Sequence, residues 1–556
     1  MKQLLREVHR NARALRRHPL FTDWLSDVSV PPDAKLAFTP MAIDFIMGFR
    51  DFNKYFVRYS EPENAMQEAL NAHAAEDETH ASLLLHDWNL LGFDDKLLWK
   101  PRDLYWWMTS DATAPSRRAD FELISLIHGA QDPLLRFIVV ECMEAAGNVF
   151  FENTVPIADA IERRVGTPLL YFGSHHLHRE TGHLQNAQEK MFIDAKLSAT
   201  QTAHAHQLVR RVFEIFDFHF STWARFAREI HDGTWRFDAA SESRAQSQLR
   251  ADVPLDATRY MHLSYPADLT GTALALATGR QRAFDRLWDT PFYRWVRSAW
   301  RGDFRRMTRF FLLQWVVDNW TCADYFRFDT TYDAPSTPIE RGINRLSTLY
   351  ASEMNRRFAE WESLELDDYT QWSAGEALQH YWLDEMVEEH RAVFADLRTL
   401  TFRFPKPLHR YWIMKCFVRF GDTLMRSLGQ AMRNAREADE EFIGFAGRPE
   451  LMHPDLALDA EADEAVAAIE REPLSPEDEV AIRTIIAETY AQEARRSEIS
   501  HRVVAQARFE RFDRRWLELG SGVFPTGAPP AERPAQADEA LAAGHGRRRP
   551  SGGGAR

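Results

Sequence analysis

Apolar residues recur with the spacing of an amphipathic helix along most of this chain. The segments with this period cover residues 4–17, 39–60, 63–91, 119–130, 132–163, 168–195 and 199–230. Residues three and four apart share one face of a helix, so the period predicts helices that bury one side against their neighbours. Alternating valine, isoleucine and threonine runs, which are typical of strands, are hard to find. The pattern predicts an all-α protein.

The second half of the chain resembles the first. Similar strings occur in the same order in both halves: Pro19-Leu20-Phe21-Thr22-Asp23-Trp24 then Glu68-Ala69-Leu70, and Pro291-Phe292-Tyr293-Arg294-Trp295 then Glu376-Ala377-Leu378. An aromatic-rich helical segment follows the first string of each half, at 41–59 and at 310–328. Such self-similarity is the signature of repeats. We predict a tandem duplication, with helical domains over 1–240 and 285–520 joined by a linker over 241–284. The tail over 521–556, rich in Gly, Pro, Ala and Arg, is predicted to be disordered.

Two seven-residue strings carry the same set of metal-binding side chains. They are His73-x3-Asp77-x2-His80 and His176-x3-Glu180-x2-His183. On a helix, positions i, i+4 and i+7 lie on one stripe, so each string would present two imidazoles and one carboxylate together. Each stripe is a candidate half of a metal site. Acidic helices that contain histidine also occur as solvated surfaces, and that alternative remains open.

Single carboxylates interrupt two otherwise apolar segments. Glu141 and Glu144 lie within residues 134–151, and Asp44 lies within residues 38–56. A carboxylate on an apolar helix face is costly unless it is paired or bound to a metal. One of the two glutamates is therefore a candidate ligand, and an ion pair with Arg136 is the alternative. Asp44 is either a further ligand or an acid in the first helical turn after a proline.

The corresponding strings of the second half lack these ligands. Opposite His73, Asp77 and His80 the alignment of the Glu-Ala-Leu strings places Tyr381, Glu385 and Glu388. The match of Glu180-x2-His183 to Glu498-x2-His501 places Ala494 opposite His176. A complete metal set is absent from these positions. We predict that the second domain serves as a scaffold, a lid or a surface for pairing with another copy of the chain.

Composition and charge exclude several classes of protein. A formal charge of −14 and a pI of about 5.9 argue against a nucleic-acid partner, because phosphate binding needs a basic face. Three cysteines without CxxC spacing exclude a disulfide scaffold and a thiolate zinc module. No stretch has the length and apolar character of a membrane span or secretion signal. These features favour a cytoplasmic protein.

The ligand order and spacing resemble those of the haem-oxygenase-like di-iron oxidases and oxygenases, over roughly residues 15–235. That superfamily carries a His-x3-Asp/Glu-x2-His string, which His176, Glu180 and His183 match. Its bridging glutamate lies some thirty residues earlier, where this chain has Glu144 and its neighbour Glu141. A histidine on an earlier helix is matched by His80. This chain departs from the family at His73, where some members have glutamate.

The resemblance implies a haem-oxygenase-like helical bundle that holds two iron ions and uses O2 to oxidise a small organic substrate. Glu144 would bridge the irons. His176, Glu180 and His183 would hold one of them, and His80 would hold the other with Asp77, His73 or Asp44. An iron–manganese pair is also compatible with this ligand set.

Three other interpretations remain open. A ferritin-like bundle uses Glu-x2-His pairs, which Asp77 with His80 and Glu180 with His183 also satisfy. Four histidines and two or three carboxylates can equally hold zinc in a hydrolase. The third alternative is a metal-free helical scaffold that binds a partner.

Overall fold

Helices make up all the regular structure that the computed structural model describes, which covers residues 1–180, 188–235, 268–298, 324–344, 346–347, 361, 366–417 and 468–505. This confirms the all-α prediction. Within these ranges, no helix combines the length and apolar character needed to cross a bilayer. The predicted disordered tail and much of the predicted linker lie outside the described residues.

The first half is built from helices of very different lengths. They are α1 (Lys2–Leu15), α2 (Pro32–Lys35), α3 (Thr39–Asp51), α4 (Ala65–Asp77), α5 (Ala81–Leu90), α6 (Phe93–Leu97), α7 (Pro101–Thr109), α8 (Ala114–Gly129), α9 (Pro133–Val165), α10 (Ser174–Glu180), α11 (Gln188–Ile193) and α12 (Ala199–His231). Two π-helical segments, Leu20–Leu25 and Phe52–Val57, lie before α2 and directly after α3.

The second half is described in shorter pieces. Its helices are α13 (Gly271–Trp288), α14 (Pro291–Ser298), α15 (Leu366–Thr370), α16 (Ala374–Leu383), α17 (Glu385–Arg403) and α18 (Pro476–Ala505). Residues 338–344 and 407–417 are also helical, and a π-helical segment covers Phe326–Thr330. Helix α16 packs on α5 and α7, and α17 packs on the π-helical segment Phe52–Val57, so the two halves share an interface.

The core of the first half forms where the two longest helices, α9 and α12, pack together, with α1 against both. The sequence defines the ends of these helices. Asp132 caps α9 by accepting a hydrogen bond from the Leu134 N–H at 2.8 Å, and Gly166 ends it in the left-handed conformation at φ 77°. Ser198 and Gln201 form a capping box at the start of α12. Between the helices, Trp223 stacks on Phe38 and is almost fully buried.

Two predicted helices are interrupted in the structure. The segment 63–91 breaks after Asp77 and resumes at Ala81, so His80 is the N-cap residue of α5 and does not continue the stripe of His73. The hydroxyl of Thr79 donates to the Glu76 carbonyl at 2.8 Å, and Ser82 donates to the Thr79 carbonyl at 2.9 Å. Such side chains satisfy carbonyls at a helix end and compete with helix continuation. The segment 168–195 begins without regular structure, with bends over residues 170–173, and becomes helical only at Ser174.

A pair of tyrosine–asparagine hydrogen bonds occurs once in each half. The amide side chain of Asn71 accepts from the Tyr59 N–H and donates to the Tyr59 carbonyl, across 12 residues. Asn344 makes the same two bonds to Tyr332, again across 12 residues. Each tyrosine comes shortly after a π-helical segment.

A tryptophan–aspartate pair also occurs in both halves, at the same offset along the chain. Trp88 donates to Asp94 at 2.8 Å, and Trp361 donates to Asp367 at 3.0 Å, each across 6 residues. Both aspartates also bind the opposite half: the Gly375 N–H donates to Asp94, and the Arg102 N–H donates to Asp367. The interface therefore has two matching sides.

These contacts set a register that differs from the one the Glu-Ala-Leu strings suggest. If Asn71 corresponds to Asn344, His73 corresponds to Leu346, which is buried, and not to Tyr381. Likewise Pro133-Leu134-x-Arg136 at the start of α9 matches Pro407-Leu408-x-Arg410 at the start of the helix 407–417. The position of Glu144 is then taken by Val418, which lies outside the described residues. This register differs from the alignment with Tyr381, Glu385 and Glu388, which depends on a short string common to many amphipathic helices.

Candidate metal centre

The last turns of α4 and the middle of α9 bring three metal-binding side chains together. His73 and Asp77 lie one turn apart on α4, and Glu144 reaches them from α9. Each offers a donor atom within 4.8 Å of the other two. His73 Nε2 lies 3.2 Å from Asp77 Oδ2 and 3.3 Å from Glu144 Oε1. Only this group of three meets that criterion among the described residues, and we call it the His73 cluster.

The spacing of these donor atoms suits a shared cation. Atoms bound to one metal ion at about 2.1 Å lie roughly 3.0–3.4 Å from one another in octahedral and tetrahedral coordination. The two distances from His73 Nε2 fall in that interval. One imidazole and two carboxylates are ligands that iron, manganese and zinc accept, whereas copper(I) prefers sulfur. The residues present therefore fit a hard or borderline divalent cation.

A second pair of histidines lies beside this cluster. Nε2 of His176 on α10 is 3.1 Å from Nδ1 of His80, and the two rings meet edge to face with centroids 4.3 Å apart. His176 Nδ1 is 3.0 Å from the Tyr171 carbonyl, which can only accept, so this nitrogen carries the proton. In the tautomer with its proton on Nδ1, the ring has its lone pair on Nε2, the atom that faces His80. A histidine that donates to a carbonyl through its other nitrogen is the usual form of a metal ligand.

A buried carboxylate on α5 holds the chain next to His176 in place. The two oxygens of Asp87 accept hydrogen bonds from three consecutive backbone N–H groups, at 2.6 Å from Leu170 and 2.9 Å from Tyr171 and Phe172. Burial raises the pKa of Asp87 to about 7, although the three N–H donors act to lower it. Asp87 therefore fixes the segment that supplies the carbonyl partner of His176.

The charges within the His73 cluster change the pKa of its histidine. Burial alone would lower the pKa of His73, but the neighbouring carboxylates of Asp77 and Glu144 raise it well above the ordinary value. His73 and Asp77 are almost fully buried, and the Glu144 side chain is 15% exposed. Two ionised carboxylates in such a place are stabilised by a cation, which protonated His73 or a bound metal ion can supply.

Both groups of side chains face one small cavity. It has a volume of about 50 Å³, enough for one or two small molecules such as water, and Asp77, His80, Glu144 and His176 all line it. The rest of the wall is apolar, with aromatic side chains that include Phe45, Phe49, Phe151, Phe216, Phe220 and Trp223. Small-molecule sites are usually apolar pockets with a few polar groups placed in their walls, as this cavity is.

The structure places the remaining predicted ligands differently. Glu141 lies one turn before Glu144 on α9 and is not part of the His73 cluster. Asp44 lines another, larger cavity, while the adjacent Phe45 and Ile46 line the cavity of the cluster. Glu180 is the last residue of α10, and its side chain is outside the described set. His183 lies outside the described residues. Five of the nine predicted ligands, His73, Asp77, His80, Glu144 and His176, thus surround one site.

Sequence reasoning missed the supporting residues. Asp87 interrupts the apolar segment of α5 as Glu144 interrupts that of α9, so the same signal, a lone acid on an apolar helix, marks it. The role of Tyr171 depends on its backbone carbonyl, which no side-chain pattern reveals.

No protein-family model matches this chain, and a search of curated proteins finds no significant similarity.

Proposed function

We propose that this protein is a non-haem di-metal oxidase or oxygenase that uses two iron ions, or one iron and one manganese, and O2 to oxidise a small organic substrate. The observation that supports it best is the His73 cluster beside the His80–His176 pair, with both groups on one apolar cavity. The proposal also rests on the ligand order, which resembles that of the haem-oxygenase-like di-iron enzymes.

The donors divide naturally between two cations. His73, Asp77 and Glu144 would hold one ion, and His80 and His176 would hold the second, with Glu180 and His183 as further ligands from the same string. Glu144 has two oxygens and can bind both ions, as bridging carboxylates do in helix bundles. When bound, such ions reduce O2 and supply the oxidising power, which protein side chains lack.

The chain's own groups orient and shield this chemistry. The Tyr171 carbonyl holds the proton of His176 on Nδ1, so Nε2 points to the centre. The ring of Phe151 lies 4.0 Å from the His176 ring and closes one side of the cavity. Phenylalanine walls keep bulk water from the cavity, which protects reactive species from side reactions.

We further propose that the first half has a haem-oxygenase-like fold and that the two halves descend from a tandem duplication. The matching tyrosine–asparagine and tryptophan–aspartate pairs support the duplication. The first half would have kept the metal site, and the second would have kept the contacts that hold the halves together.

Metal content is the direct test of this proposal. The full-length protein is reconstituted with Fe(II) without oxygen, and bound metal per chain is measured by elemental analysis. We expect about two irons in the wild type and at most about one in a His73→Ala variant. His390→Ala is the matched control, because His390 is equally buried but lies in the second half, where its ring bonds to Ser500 at 3.3 Å. That variant should keep its metal.

Three other outcomes would each change the proposal. Stoichiometric zinc that iron does not displace would favour a hydrolase. Iron that consumes O2 only for its own oxidation, without an oxidised organic product, would favour a ferritin-like protein. Failure of the wild type to bind any metal would contradict the oxidase and leave protonated His73 as the cation between Asp77 and Glu144, in a metal-free scaffold.

A further inference from the structure

A second cavity, larger than that of the metal site, lies between the two halves. Its volume is about 160 Å³. Helix α3, the π-helical segment Phe52–Val57 and α8 form one side, and α16 and α17 form the other. The lining is mainly aromatic, with Phe52, Tyr55 and Phe121 from the first half and Tyr381, Trp382 and Phe394 from the second. An apolar cavity of about 150 Å³ is large enough to bind benzene.

The arginines on the wall of this cavity are already neutralised. Each forms an ion pair with an aspartate at 2.5–2.9 Å; the pairs are Arg117–Asp324, Arg391–Asp51 and Arg398–Asp329. Asp120, another acid on the wall, lies 3.0 Å from His219 Nε2. A ligand with a carboxylate would therefore find no unengaged cation among these groups.

Asp44 differs from the other acids on the wall. No described residue donates a hydrogen bond or forms an ion pair with its carboxyl, although Arg117, Asp120 and Asp324 lie near enough to influence it. Burial raises the pKa of Asp44 to about 8, and Asp120 and Asp324 add to the rise, while Arg117 opposes it. The Asp44 side chain is partly exposed and lines the cavity. A carboxyl that is largely shielded from bulk water, with no partner among the described residues, is stabilised by a cation placed beside it.

The cavity also adjoins the candidate metal centre. Phe45 and Phe49 on α3 are the side chains that line both cavities, and their rings meet edge to face at 5.1 Å. A ligand in the larger cavity is separated from the smaller one by these two rings.

We propose that the cavity between the halves binds a small hydrophobic organic cation, an amine with an aromatic or compact aliphatic body, and that Asp44 is its counter-ion. The aromatic walls would contact the body and stabilise the charge through cation–π interactions. That this cavity holds the substrate of the metal centre rests on the proposed function. That it binds an amine does not depend on the proposed function.

The test compares three probes of the same shape on full-length protein treated with a chelator: benzylamine, benzyl alcohol and benzoate. Affinities are measured by isothermal titration calorimetry at pH 7. We expect benzylamine to bind roughly 10-fold or more tightly than benzyl alcohol, and benzoate to bind least. Asp44→Asn should reduce the ratio of amine to alcohol affinity to about one. Asp95→Asn, which changes an exposed carboxylate outside the cavity, should leave the ratio unchanged.

A second variant locates the probes. Gly48 lies on the cavity wall, and a Cβ there would meet Trp382 at 3.6 Å, an ordinary contact, so Gly48→Leu fills the cavity from a helix that tolerates leucine. It should weaken both benzylamine and benzyl alcohol. Equal affinities for the two probes in the wild type, or an unchanged ratio in Asp44→Asn, would overturn the proposal. Because the protein is metal-free, that failure is distinct from a failure to bind iron.

Discussion

The two halves of the chain share their supporting hydrogen bonds but differ at the positions that face the candidate metal centre. Tyr59 with Asn71 and Tyr332 with Asn344 make the same bonds. Two residues beyond each asparagine, the first half has His73 and the second has Leu346. The second half thus has an apolar side chain where the first has a buried, ionisable one.

This difference separates the requirements of folding from those of the site. A leucine in a helical core satisfies packing without any partner, whereas His73, Asp77 and Glu144 together need a proton or a metal ion to balance their charges. Retaining such a cluster is costly for stability. Its presence in one half, beside contacts common to both halves, is what we expect if the cluster serves the proposed function and the shared contacts serve the fold.

The largest expected effect concerns the two ion pairs at the interface. Arg117–Asp324 and Arg391–Asp51 cross between the halves in opposite directions, and all four side chains are largely buried. Removing one partner of a buried pair leaves an uncompensated charge and costs about 3–5 kcal/mol. Asp324→Asn and Asp51→Asn should each lower the free energy of unfolding by this amount, measured by chemical denaturation.

Equal losses of stability in these two variants would support the view that the two sides of the interface are equivalent. A loss in only one variant would contradict that view. The control is Glu488→Gln, which removes the exposed pair with Arg403 and should cost less than about 1 kcal/mol.

The next effect tests how the two halves differ at the candidate metal centre. Glu144→Val gives the first half the residue that the second half has at position 418. It removes a carboxylate that lies 3.3 Å from His73 Nε2, so we expect iron affinity to fall by more than about 100-fold, since loss of even an indirect ligand contact costs 10–100-fold. Competition with a metal-binding dye would measure this. Glu141→Gln, one turn away, should have little effect, and an equal loss there would mean that the wrong glutamate has been chosen.

The sequence alone predicts the helical fold class and several residues of the candidate metal centre. Long helices such as α9 and α12 bury a continuous apolar stripe, so their period is visible without knowing what they pack on. A histidine and a carboxylate one turn apart must lie together on a helix, which is why His73 and Asp77 were predicted to be neighbours. A lone acid on an apolar helix, such as Glu144, indicates a buried partner without naming it.

Other features depend on packing that no local pattern contains. Asp44 and Phe45 are adjacent on α3, and which of them faces the metal site is decided by the helices on either side. The break at Thr79 depends on hydroxyl hydrogen bonds that offer only a small preference over a continuous helix. The register of the second half becomes visible only through contacts between residues far apart in the helices, such as Trp361 with Asp367.

Substitution of Asp87 should have a smaller effect on stability. The backbone N–H groups that bind its carboxylate lie beside the candidate metal centre of the first half. Asparagine has one acceptor oxygen, whereas the two Asp87 oxygens accept from three N–H groups, so Asp87→Asn leaves at least one buried donor poorly satisfied. We expect a loss of about 1–3 kcal/mol in the free energy of unfolding. Iron affinity should fall as well, because the Tyr171 carbonyl would hold His176 less firmly. Unchanged iron affinity in a folded variant would show that Asp87 supports the fold alone.

The last effect is a pH dependence that Asp44 of the first half should produce. In the register of the interface ion pairs, Asp44 corresponds to Val317, which lies outside the described residues. Burial raises the pKa of Asp44 from 3.8 to about 8. Between these pH values the unfolded chain loses the proton while the folded protein keeps it, so ionisation favours the unfolded state. Asp44→Asn has no such proton. The variant should therefore gain stability relative to the wild type as the pH rises from about 4 to about 8, measured as the difference in unfolding free energy at the two ends. Asp95→Asn should show no trend. A flat difference for Asp44→Asn would mean that the carboxyl is ionised at neutral pH with a cationic partner already beside it.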